Sequence, residues 1–295
     1  MRDPAGHAIV LEHGPYRAEV VSVGAGLRAL RYAGRDLVAG YAAGEICPDY
    51  RGWVLQPWPN RVGDGRYRFG GDTHQLALSE PERGNALHGL VGWVHWEVHH
   101  PDATRAVLHH ELVPQDGYPF AVDLLVEYEL THAGLGVTIS ATNVGDAPAP
   151  YGAGHHPYLT LGPPADDLEL TLPAGTWCPM DERGLPSPAQ PVEGTAYDFR
   201  EPRRIGDLVL DHPFGELTGD TATLRDPATG HAVTITLEEG FEWLHVFTCD
   251  SHEPARQAVA VEPTTCPPDA FRSGTDVVVL EPGATHRASY RITGS

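Results

Sequence analysis

Two stretches of this chain carry residue types suited to moving protons. Tyr151–Leu161 reads YGAGHHPYLTL and offers a histidine pair, and Ala258–Arg272 reads AVAVEPTTCPPDAFR and offers Glu262. A histidine and a carboxylate on extended backbone, set among small residues and prolines, suit proton transfer to and from a small polar substrate. On a strand, side chains alternate between faces, so His156 and Tyr158 share one surface while His155 points the other way. Only one of the two histidines can then belong to a given pocket. Gly152, Ala153 and Gly154 carry almost no side chain, which leaves room for something to approach the backbone closely. In Val259-Ala260-Val261-Glu262 the valines face a core, and Glu262 shares the other surface with Ala260. The plainer alternatives are a strand-filling histidine pair and a solvated glutamate.

Other candidates lie in loops. Residues 51–63, RGWVLQPWPNRVG, end in Asn60-Arg61. A guanidinium there can fork onto sugar hydroxyls, and Trp53 or Trp58 can stack on an apolar sugar face; Trp243 is a third tryptophan of the same potential. His88 stands beside Gly89 in a loop, where sites concentrate. Asp211, in Leu210-Asp211-His212-Pro213-Phe214, is either a turn former or a hydroxyl acceptor.

The elements that must position these residues read as strands. The chain has 295 residues, of which 33 are glycine and 27 proline, a density of turns that leaves little room for long helices. From His7 to Val38, short apolar runs separated by glycine turns predict a β-meander. Gly24-Ala25-Gly26 is not a dinucleotide loop, since another strand-like run follows where a helix is required. Tyr67–Thr73 predicts a hairpin, and Trp93–Leu130 predicts three strands, in the best of which Val122, Leu124, Val126, Tyr128 and Leu130 alternate with Asp123, Leu125, Glu127 and Glu129. Residues 136–143 and Leu168, Leu170 and Leu172 continue the pattern. Pro173–Pro202 predicts an irregular excursion over a sheet. Strands resume at Ala232–Leu237, Trp243–Thr248, Val277–Leu280 and Ala288–Ile292. No linker or fixed-period repeat divides the chain, so residues 1–295 are expected to form a single all-β domain.

The charge excludes several functions. A net charge of −20, with all 20 basic residues arginine, argues against nucleic acid or an anionic membrane as partner. Without lysine, neither a Schiff base nor a Walker-type phosphate loop can form. Histidine doublets at 99–100, 109–110 and 155–156 make poor metal sites, because strand neighbours face opposite ways and no His-x-His occurs. No metal or redox cofactor is expected. The four cysteines form no CxxC pattern, and no signal-like or membrane-length apolar run is present, so reduced thiols in a cytoplasmic protein are expected.

Taken in order, Pro59-Asn60-Arg61-Val62, Leu87-His88-Gly89, His156-Pro157-Tyr158-Leu159, Leu210-Asp211-His212-Pro213-Phe214 and Val261-Glu262-Pro263 resemble the aldose 1-epimerase (galactose mutarotase) family across most of the chain. The resemblance implies a large antiparallel β-supersandwich with few short helices, binding an aldose sugar in an open groove; monomer and homodimer both stay open. It further implies Glu262 as general base, His156 as general acid, and Arg61, His88 and Asp211 as sugar-hydroxyl binders. Leu159 replaces the family's usual aromatic, and TTCPPDAFRSG follows Glu262 as in a less characterised bacterial branch; both leave the sugar's identity open. Chemically, anomer exchange removes the C1 hydroxyl proton and protonates the ring oxygen. A glutamate can accept and a histidine can donate if neighbouring acids raise its pKa. A non-catalytic carbohydrate-binding β-sandwich would use the same tryptophans and arginine. A glycoside hydrolase would pair Glu262 with a second carboxylate such as Asp211.

Overall fold

The computed structural model describes residues 3–99, 101–252 and 254–295. Every pairing between its strands is antiparallel, and its helices amount to one turn at Ala270–Ser273 and a 3-10 turn at Ala165–Asp167. The fold is the expected all-β sandwich. Its largest sheet has nine strands, running from the edge strand Glu97–His99 through Arg105–Leu112, Val122–Thr131, Gly134–Asn143 and Thr285–Gly294 to Ala232–Glu239 and three shorter strands. Alternation explains it: Val122, Leu124, Val126, Tyr128 and Leu130 are buried while Asp123, Leu125, Glu127 and Glu129 face outward.

An eight-stranded sheet contributes to the same core. It includes Asp211–Leu217, Trp243–Phe247, Val259–Thr264, Gly154–His155 and Val54–Leu55, with Tyr158–Leu159 also paired to Val259–Thr264. Its Leu244, Val246, Val259 and Val261 pack in one apolar cluster with Tyr128, Ile139 and Tyr290 of the nine-stranded sheet. The opening meander forms a four-stranded sheet, Ala8–His13 to Arg35–Asp36, and Arg66–Phe69 pairs with Asp72–Gln75 as a hairpin.

One expectation changes. Pro173–Pro202 is not wholly irregular: Ala174–Trp177 and Gln190–Pro191 are strands of the eight-stranded sheet, and Trp177, Val192 and Phe199 are buried. Prolines survive there because Gln190–Pro191 is an edge strand. The glycines at 152 and 154 make room for the chain itself. A Cβ on Gly152 would lie 2.6 Å from the Cys266 sulfur, and one on Gly154 would lie 3.0 Å from the Pro59 side chain.

Candidate active site

The strand Val259–Thr264 is buried throughout and sits at the centre of the site. Val259 and Val261 enter the core, and the alternate residues Ala260 and Glu262 face the other way. Residues 151–160 form three short strands rather than one, but the parity holds. His155 turns inward and His156 stacks on Tyr158, ring centroids 4.7 Å apart and planes 4° from parallel. The His156 Nε2 lies 3.4 Å from the Glu262 Oε1, with both side chains at most 5% exposed.

Around this pair a cavity of about 400 Å³ brings together Arg61, His88 and Asp211. Arg61 follows a left-handed Asn60 and is forked onto Glu80, at 2.9 and 3.0 Å, with its Nη1 3.9 Å from the Asp211 Oδ2. His88 stands just past the strand Asn85–Leu87, itself left-handed. Its Nδ1 accepts the Asn60 N–H at 3.2 Å, which puts the ring proton on Nε2. Gly89 is required after it: φ is +76°, and a Cβ would come within 2.0 Å of the Gln56 carbonyl oxygen. Asp211 accepts a hydrogen bond from the His245 Nε2 at 2.8 Å, and His245 pairs directly across the ladder with Glu262.

Burial dominates the electrostatics. It pushes the Glu262 carboxyl up to about 7, a rise reinforced by the Asp211 charge and opposed by His245 and Arg61. It also pulls His156 well below the usual histidine range, helped by the nearby imidazoles of His245 and His155. The acids nearby therefore do not raise His156, because taking an imidazolium out of water costs more than they return. His88 falls for the same reason, with His156 adding to it. Burial favours the neutral form of Asp211 as well, but its bond to His245 and the charges of His245 and Arg61 outweigh that and keep it ionised.

The tryptophans, left open by the sequence as sugar contacts, lie away from the cavity. Trp53 is core, packed with Val23 and Cys47; Trp58 lies against Phe271; and Trp243 donates to Asp276 at 2.8 Å with its ring over Gly215. None lines the cavity, whose aromatic walls are Tyr50, Tyr158 and Phe247. Sequence reasoning missed Glu80, which orients Arg61, and His245. A signal for His245 existed: in Trp243–Phe247 it is out of phase with the core residues Leu244 and Val246, and so shares the face of Glu262.

Fold and sequence profile together place the chain in a family of sugar isomerases. The sequence profile of the family described as aldose 1-epimerase matches residues 7–293, and the chain belongs to that family. It is 36% identical over 292 residues to the uncharacterized protein YihR of Escherichia coli strain K12, covering 98% of this chain and 94% of that one. Human galactose mutarotase is 29% identical over 211 residues, 66% of this chain and 60% of its own length. Among solved structures, a GalM/aldose epimerase homologue from C. elegans superimposes with a TM-score of 0.88 at 21% identity, covering 98% of each chain.

Proposed function

We propose that this chain interconverts the α and β anomers of an aldohexopyranose through Glu262 and His156. Glu262 takes the proton of the C1 hydroxyl as the C1–O5 bond breaks, and His156 supplies a proton to the ring oxygen. The open-chain aldehyde rotates about C1–C2. On reclosure His156 recovers its proton from the O5 hydroxyl while Glu262 returns one to the new C1 oxygen, so the pair ends as it began. Arg61, His88 and Asp211 hold ring hydroxyls: the guanidinium and the His88 Nε2–H donate, and the Asp211 carboxylate accepts. Tyr158 supports the His156 ring through their stacking.

The observation that carries this reading is the 3.4 Å approach of His156 and Glu262 inside one cavity, with the His156 Nδ1 and the Glu262 Oε2 buried and unpartnered among the described residues. A merely sugar-binding sandwich has no use for so costly a pair. Four buried, unbridged cysteines accord with a reducing compartment, which we take to be the cytoplasm. No helix among the described residues is long and apolar enough to cross a membrane. Polarimetry on freshly dissolved α-D-glucose and α-D-galactose tests the proposal. Accelerated mutarotation that disappears with Glu262→Gln supports it; sugar binding without turnover, or release of sugar from a glycoside instead, would overturn it.

A further inference from the structure

The structure assigns a second, unrelated site: we infer that the solvent face of the nine-stranded sheet binds one transition-metal dication, of the zinc class, through Glu97, His99 and His109. Within one strand a histidine doublet makes a poor metal site, but register between strands brings separate histidines together. Glu97 and His99 are two apart on the edge strand and share a face, and Glu97 pairs directly across the ladder with His109 of Arg105–Leu112. One member of each doublet therefore arrives on the same surface as a carboxylate; His100 lies outside the described residues.

The donor atoms of the three residues all lie within 4.8 Å of one another. The His99 Nε2 is 3.5 Å from the Glu97 Oε2, and the two imidazole rings are 5.6 Å apart. Tetrahedral zinc at about 2.0–2.1 Å needs donors roughly 3.4 Å apart. Glu97 and His99 are exposed, and binding would have to shorten the longest of these separations, at most 4.8 Å, by up to about 1.4 Å through side-chain rotation. Asp123, on the next strand of the same face, contacts the His109 Nε2. A carboxylate on one nitrogen fixes the ring of a ligating histidine, so with Nε2 on Asp123 the ion would take Nδ1. Imidazole with carboxylate selects zinc, nickel or copper over magnesium or calcium, and a net charge of −20 concentrates cations at the surface. None of these residues lines the sugar cavity. The ion would staple the three-residue edge strand Glu97–His99 to its neighbour.

The test uses untagged, chelator-stripped full chain titrated with zinc chloride at pH 7.5 by calorimetry, with thermal unfolding in parallel. Wild type is expected to take up one equivalent more than His99→Ala/His109→Ala, to bind it more than about tenfold tighter than that variant does, and to gain Tm on zinc addition. Mutarotation rates should match between the two proteins. Equal zinc uptake by both would place the metal elsewhere and overturn the assignment. So would equal stabilisation by magnesium, or no uptake by wild type.

Discussion

His155 and His156 are adjacent in the chain and equally buried, yet their surroundings differ completely. His155 is satisfied on both nitrogens: Nδ1 accepts from the Tyr290 hydroxyl, and Nε2 lies 3.0 Å from the Gly52 carbonyl oxygen and 3.2 Å from the Tyr128 hydroxyl. It is a neutral core residue, pushed down to about 4 by burial. His156 has a buried Nδ1 with no partner among the described residues, and its other nitrogen meets Glu262 only loosely. Burial without hydrogen-bond satisfaction is expensive and is kept where a substrate completes the set. The difference separates a histidine that holds the fold from one available to a sugar.

That contrast can be broken by substitution. Glu262→Gln should lower kcat for mutarotation by about 10²–10⁴-fold, and His156→Ala should do nearly as much, measured by polarimetry on folded protein. His155→Ala should reverse the pattern. Losing its bonds and leaving Tyr290 unpaired should cost about 3 kcal/mol in a denaturant melt, with kcat per folded molecule held within about threefold. Loss of chemistry without loss of stability at His155 would erase the distinction. Glu262→Gln should itself stabilise the protein. The Glu262 pKa is raised on folding, from an ordinary value of 4.5 to about 7, so its contribution to stability is intact below 4.5 and lost as pH rises through 7. The variant's advantage in unfolding free energy should therefore grow between those limits to on the order of 3 kcal/mol at pH 8 and then level off.

Much of this was legible in residue order, and what was missed has physical causes. Strand parity alone separated His155 from His156 and Glu262 from the valines beside it, because a period of two survives even where a strand is broken by Pro157. Glu80 and Tyr50 were hidden because they lie in loops whose place beside the site is set by tertiary packing, and the phase of His245 in its strand shows its face but not that register sets it opposite Glu262. Register likewise assembled Glu97, His99 and His109 from positions that looked unpromising separately. The tryptophans misled in the opposite sense. Composition marked their loop as sugar-like, but Trp53 and Trp58 are spent on closing the core.

The pH profile sharpens the contrast further, since burial keeps His155 neutral, pushed down to about 4, while the Glu262 carboxyl beside His156 is pushed up to about 7. Below about pH 7 the pair in the free protein holds one proton, which burial places on Glu262, whereas the proposed ring opening needs it on His156. Both forms carry the same single proton, so their ratio does not change with pH and activity follows the one-proton pair. Free-enzyme kcat/KM should accordingly fall above about pH 7, and on the acid side only well below the usual histidine range. A rate that climbs through pH 7 would show His156 acting neutral and would move the donor role elsewhere. Asp211→Asn gives the smallest and most diagnostic effect. The Asp211 charge helps to raise Glu262, so removing it should move the alkaline limb to lower pH. Loss of the hydroxyl acceptor should raise KM about tenfold at the same time. A KM change with no displacement of the limb would mean that Asp211 touches the sugar but not the proton balance of the pair.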